Sequence, residues 1–250
     1  MTPATAEAKL AKLKREVRRE WRRRAAPVRA AFARVTRRPA ADLARAALVA
    51  LLKTAAIIAL PFVLLVRASV YYYEHVGLDP WTALLAGAVL ALLVVTGYAA
   101  WLSRRLTGRM RFITMLKWVA LPLVAGWCLD ALLFVGGGNV KNDAVRSYYT
   151  AVHPILRVAL STVILVDRRL VVTDFARRPE DYARMGLPVY DRTLHYVQRD
   201  GWVHAVDLRT QGHGEVKNRA VQLYFWIMGF DTLRHVGTAD HLHVELALRL

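Results

Sequence analysis

The 250-residue chain is 56% hydrophobic, more than a soluble domain normally carries, and its 36 Lys and Arg against 19 Asp and Glu give a net charge of +17. Its one cysteine, Cys128, sits inside an apolar run, which excludes an intrachain disulfide and argues against thiol catalysis, because a thiolate needs hydrated or cationic surroundings. The charge excess is local: 14 basic residues against four acids fall in the first 45 positions, so the isoelectric point near 10.6 reports mainly a tail.

Within that tail Leu10, Leu13, Val17 and Trp21 recur at three- and four-residue steps among Lys and Arg, predicting a basic helix over 7–24; Pro27 and Pro39 interrupt the stretch after it. Such a tail ahead of an apolar segment holds its end in the cytoplasm and attracts anionic lipid headgroups, by roughly 1 kcal/mol for each basic residue near the surface. Nucleic-acid binding lacks motif or aromatic support beyond Trp21.

Three apolar runs come next, at 46–66, 81–102 and 112–135, each long enough as a helix to cross a hydrocarbon core of about 30 Å. Trp81 and Trp101 bracket the second as interface aromatics do, and Tyr71, Tyr72 and Tyr73 lie just beyond the first. A cleaved signal peptide is excluded, because the first run is too long, too far in, and without a small-residue cleavage pattern. The 67–80 loop holds only Arg67, whereas 103–111 holds Arg104, Arg105, Arg109 and Arg111. Basic loops stay inside, so the N-terminus and second loop are expected in the cytoplasm and residues 136–250 on the other side. Lys117 is near enough to a helix end to snorkel; Lys53 and Asp130 either pair between helices or mark a transport path, for which three helices without repeats are poorly suited.

Gly136-Gly137-Gly138-Asn139 reads as a flexible hinge without the spacing of a phosphate loop. Asn142 or Asp143 caps a helix expected over 144–162, bent or broken at Pro154. Residues 163–166 are ambiguous between helix end and strand, 170–173 read as a strand, and 180–185 as a short helix with Pro179 at its first position. Two β-prone runs, 194–198 and 202–208, flank Arg199-Asp200-Gly201, a hairpin turn. An amphipathic helix over 218–228 ends at Gly229, before strands at 233–236 and 239–246. The expected fold class is three transmembrane helices followed by a small α+β domain with an antiparallel sheet, divided as tail 1–45, membrane region 46–135 and domain 136–250.

Polar and apolar residues alternate in Asp240-His241-Leu242-His243-Val244-Glu245, which puts His241, His243 and Glu245 on one face of a strand. If the 199–201 turn is a three-residue loop with Gly201 left-handed, residue 195 pairs with 205 and His195 converges on Asp207; a two-residue Asp-Gly turn slips the register by one and separates them. Two imidazoles and a carboxylate with a fourth position open to water form a catalytic zinc set. His204 and His213 are rival ligands, and a lone strand histidine is more often a packed or surface residue, so the set carries the reading.

Thr193-Leu194-His195, Ala205-Val206-Asp207-Leu208 and Asp240-His241-Leu242-His243-Val244, in that order, resemble the Ser-x-His, Ala-x-Asp-Leu and His-x-His pattern of the zinc peptidases acting on D-alanyl peptides of the bacterial wall. That fold group includes D-Ala-D-Ala carboxypeptidases, murein endopeptidases, lysostaphin-type enzymes and the hedgehog signalling domain. The segment Thr173-Asp174-Phe175-Ala176-Arg177-Arg178-Pro179-Glu180 is similar to the group's Thr-Ser-Gly-Tyr-Arg-Thr-Pro-Glu, whose Arg holds the substrate carboxylate. Covering residues 141–250, the resemblance implies zinc held by His195, Asp207 and His243, with His241 catalytic and Arg177 on the substrate. It implies a membrane-anchored hydrolase of D-amino-acid-containing peptidoglycan peptides, in a bacterial inner membrane with a periplasmic domain. The group places its first His seven residues before the Asp; here the interval is twelve, and Asp200 stands at the seventh position. A five-residue insertion forming the hairpin restores the site. The alternative is a degenerate site in a wall-peptide-binding or membrane scaffold protein.

Overall fold

The structure, a computed structural model, describes residues 19–21, 23, 25–26, 40–177, 180, 186, 193–237 and 240–248. The helices expected over 7–24 and 180–185, with Pro179, lie for the most part outside the described residues. The chain divides into two compact units, Met1–Ile58 and Ala59–Leu250.

Three long helices come first. Helix α1, Ala40–Tyr71, is mostly Ala, Leu, Ile and Val, continues into a π-helical turn over Tyr72–Val76, and ends where Gly77 takes a left-handed φ of 78°. Helix α2, Pro80–Thr107, is started by Asp79, whose carboxylate accepts the Trp81 and Thr82 amides at 3.0 and 3.2 Å, with Pro80 at the first position. Helix α3, Phe112–Leu133, contains a second π-helical turn at Leu116–Ala120. All three are long and apolar enough to cross a membrane, and the first apolar helix runs from Ala41 to Val76, beyond the bounds expected from hydropathy alone, because no glycine interrupts its flanks. Leu85, Leu93, Trp118 and Leu123 point outward and give the helices a surface suited to lipid contact. At Gly87 α2 comes so close to α1 that a Cβ there would collide with the Leu65 carbonyl and the Ser69 hydroxyl.

The α+β region is built on these helices. Asn142 caps α4, Asp143–Ser147, by accepting the Val145 amide at 2.9 Å. The single helix expected over 144–162 is instead two, separated by a 3-10 turn at Tyr149–Ala151, and α5 runs Pro154–Val166. Pro154 starts this helix and does not bend one: its missing N–H belongs at a first turn, and it holds His153 before it in extended backbone. The glycine run is pinned, since the Asn139 amide donates to the carbonyls of Arg168 and Leu170 at 3.0 and 2.8 Å.

Strands β1 (Val172–Asp174), β2 (Ala205–Arg209), β3 (Asp231–His235) and β4 (His241–Glu245) form an antiparallel sheet in the order β1-β2-β4-β3. Between β2 and β3 lies α6, Glu215–Met228, closed by Gly229 at φ 99°. Among the described residues the 194–198 run makes one bridge, Val197 to Val203, around a turn whose Gly201 has φ 84°. That is a three-residue turn, but the pairing does not run on to 195 and 205: the His204 amide donates to the Leu194 carbonyl, and Ala205 pairs with Glu245. One continuous core extends from Leu65 and Val66 in α1 to Leu246 after β4. Helix α5, buried from Pro154 to Val163, packs on α2, α3 and α6. Its Arg157, 4% exposed, donates to the Leu132 carbonyl at 2.5 Å, placing a cation at the negative C-terminal end of α3.

Candidate metal centre

Antiparallel pairing sets Asp207 on β2 directly opposite His243 on β4, with Arg209 opposite His241 two residues along, so Asp207 and His243 share a face by register alone. The backbone of Arg177 donates to the His195 carbonyl at 3.0 Å and that of His204 to the Leu194 carbonyl at 3.0 Å, which draws the 194–198 segment over the same face. His195 Nε2 lies 3.3 Å from His243 Nδ1 and 3.3 Å from Asp207 Oδ1, and His243 Nδ1 lies 2.9 Å from that oxygen. Tetrahedral zinc with bonds of about 2.0–2.1 Å keeps its ligand atoms about 3.3 Å apart, so the triangle has the size a bound metal requires.

The outer partners fix which atoms face inward. His195 Nδ1 donates to the Phe175 carbonyl at 2.8 Å, so Nε2 is the nitrogen left facing the centre. His243 Nε2 donates to Glu245 Oε2 at 3.0 Å, leaving Nδ1 inward. Asp207 offers Oδ1 while Arg177 Nη2 holds Oδ2 at 2.6 Å, and Arg177 Nε is bonded to Asp174. His195 and Asp207 are buried; the His243 side chain is 18% exposed and that of His241 25%, so the centre opens toward the His241 side. These three residues fit a divalent metal: two nitrogens and an oxygen converge, each held from behind.

Electrostatics agree with that design. Burial raises the Asp207 carboxyl, but hydrogen bonds from His195 and His243 and the Arg177 charge outweigh it and hold Asp207 well below the usual carboxylate range. Burial lowers His243, yet its bonds to Asp207 and Glu245 dominate and push it up to about 9. The hydrogen bond from His243 holds Glu245 below its ordinary value. Without metal, a proton on His243 Nδ1 occupies the place where a cation would sit.

The other expected residues fall into three places. His241 stands at the rim, Nε2 3.8 Å from Asp207 Oδ1, stacked on His235 at 4.6 Å between ring centroids. Arg177 is engaged by Asp174 and Asp207. His204 belongs to a different cluster, and His213 feels Lys217, Asp167, Arg209 and Arg169 rather than the centre. Sequence reasoning gave no role to Glu245, Asp174, His235 or the Phe175 carbonyl. The β4 alternation signals Glu245, the register of β3 signals His235, and a backbone carbonyl leaves no sequence signal at all. Comparison with protein-family models, with curated proteins and with solved structures found no match.

Proposed function

We propose that this chain is a membrane-anchored, zinc-dependent peptidase acting on D-amino-acid-containing cell-wall peptides, with the metal on His195, Asp207 and His243. The observation that carries the proposal is the triangle of inward-facing donors, each with an outer hydrogen-bond partner. Bound zinc brings the pKa of its water to about 7 and polarises a carbonyl. His195 and Asp207 keep their side of the centre dry; His241, at the open rim, accepts a proton from the attacking water and delivers it to the leaving amine. Arg177 positions Asp207 and screens its charge, and a substrate carboxylate competes with Asp174 for the guanidinium. The specificity for wall peptides and the choice of zinc rest on the resemblance of the three motifs. The loop charges support a cytoplasmic N-terminus and an extracytoplasmic site in a bacterial inner membrane, with anionic lipid at the basic tail.

The test uses the full chain in detergent. His243→Ala is expected to lose the zinc of this centre, whereas His241→Ala retains it and loses cleavage of D-alanyl peptides. A His241→Ala protein that cuts as fast as the wild type would sink the proton-transfer role. A zinc-loaded wild type that binds wall peptides without cutting them would establish the binding-protein reading instead.

A further inference from the structure

A second group of ligand-type side chains lies where the end of α1 meets the sheet region. His153, Asp200 and His204 each offer one ligand atom, and these atoms all lie within 4.8 Å of one another. They come from three places: the residue capping α5, the turn of the Val197 to Val203 hairpin, and the residue before β2. Both imidazoles are completely buried, while the Asp200 side chain is 29% exposed and leaves a route in from solvent.

The hydrogen bonds set each donor. His204 Nδ1 donates to the Leu246 carbonyl at 3.2 Å, and its Nε2 then faces Asp200 Oδ2 at 2.9 Å. In that tautomer a lone pair and a carboxylate oxygen confront each other inside the protein, which requires a proton or a cation between them. A far nitrogen anchored on a backbone carbonyl is also the arrangement of a metal-ligating histidine. Asp200 is held from the outside, Oδ1 accepting the Trp202 amide at 3.1 Å and Oδ2 the Tyr73 hydroxyl at 3.2 Å. His153, its ring centroid 4.8 Å from that of His204, has Nε2 buried with no hydrogen-bond partner among the described residues. Its Nδ1 accepts the Ile155 amide at 3.3 Å, a long bond to a first-turn amide that has no intrahelical acceptor in any case. Shifting the ring proton to Nδ1 gives up that bond and makes Nε2 a ligand.

We propose that His153, Asp200 and His204 form a second divalent-metal site, zinc by its two-imidazole, one-carboxylate donors, which fastens the hairpin and α5 to the end of α1. Tyr73, from the π-helical turn after α1, stands on the same carboxylate oxygen and rests its ring 4.7 Å from that of His153, so it covers one side of the site while Asp200 leaves the other to water. Its ligands come from three separate segments, so a bound metal would tie those segments together. It stands independently of the centre at His195, Asp207 and His243.

The experiment is zinc titration of the full chain in detergent after chelation and dialysis, read by elemental mass spectrometry. The wild type is compared with Asp200→Asn, which keeps the acceptor for Trp202, with His243→Ala, and with both together. Two tightly held zinc ions in the wild type, one in each single variant and none in the double would support the second site. One ion lost in His243→Ala and unaffected by Asp200→Asn would overturn it and leave the first centre standing. One ion lost only in Asp200→Asn would support it and overturn the first centre. As a second reading, zinc should raise the melting temperature of His243→Ala and fail to raise that of the double variant; equal shifts in the two would overturn the proposal. Equal melting of wild type and Asp200→Asn in chelator shows that the substitution leaves the fold intact.

Discussion

At the scale of single residues, the outer partners should control the proposed metal as much as the ligands do. Glu245→Gln keeps the shape of the side chain but removes the charge that orients His243, and zinc affinity should fall about 10–100-fold, measured by competition with a chelator. The His243 proton also predicts a pH dependence. Its value in the metal-free fold, about 9, is raised from the usual 6.5, so the stability it contributes is complete below pH 6.5 and is lost as pH rises through 9. Melting curves in chelator should therefore drift to lower temperature across that window. At pH 7 metal binding should release about one proton per site, detectable as a buffer-dependent heat in calorimetry. A flat melting temperature from pH 6.5 to 9 would show that His243 does not carry this proton.

At the scale of elements, two glycines hold the geometry. Gly201 sits at φ 84° with open space around the position of a Cβ, so Gly201→Ala meets only the backbone cost of the left-handed conformation, about 1–2 kcal/mol. Thermal unfolding should show that loss. Gly87 differs, because its Cβ would meet α1; Gly87→Ala should cost about 1–3 kcal/mol through overpacking, seen as a lower melting temperature in detergent. These positions also show what the sequence could and could not tell. The three apolar helices, the β4 alternation and the α6 stop at Gly229 were legible, since each depends on local periodicity or one turn residue. The convergence of His195 on Asp207 depended on which turn Asp200-Gly201 makes, and both registers suited the residues. A bend or break is expected at Pro154; the break is there, but it falls just before the proline, which reads alike as an interruption and as a first position. The pairing of Arg177 with Asp207 and the approach of His153 to His204 join residues far apart in sequence, and no short-range pattern announces them.

At the scale of the whole molecule, the topology proposal predicts opposite labelling of two engineered thiols. In a Cys128→Ser background, a membrane-impermeant thiol reagent added to intact cells should modify Arg199→Cys and spare Arg104→Cys; the reverse pattern would invert the orientation. The core that runs unbroken from Leu65 to Leu246, with Asn139 pinning the glycine run and Arg157 tied to the end of α3, removes the slack that a linker would supply. A domain on a tether sweeps a volume that grows with the tether's length; one welded to its helices keeps a single stand-off from the lipid, and the proposed peptidase would reach only bonds presented at that height.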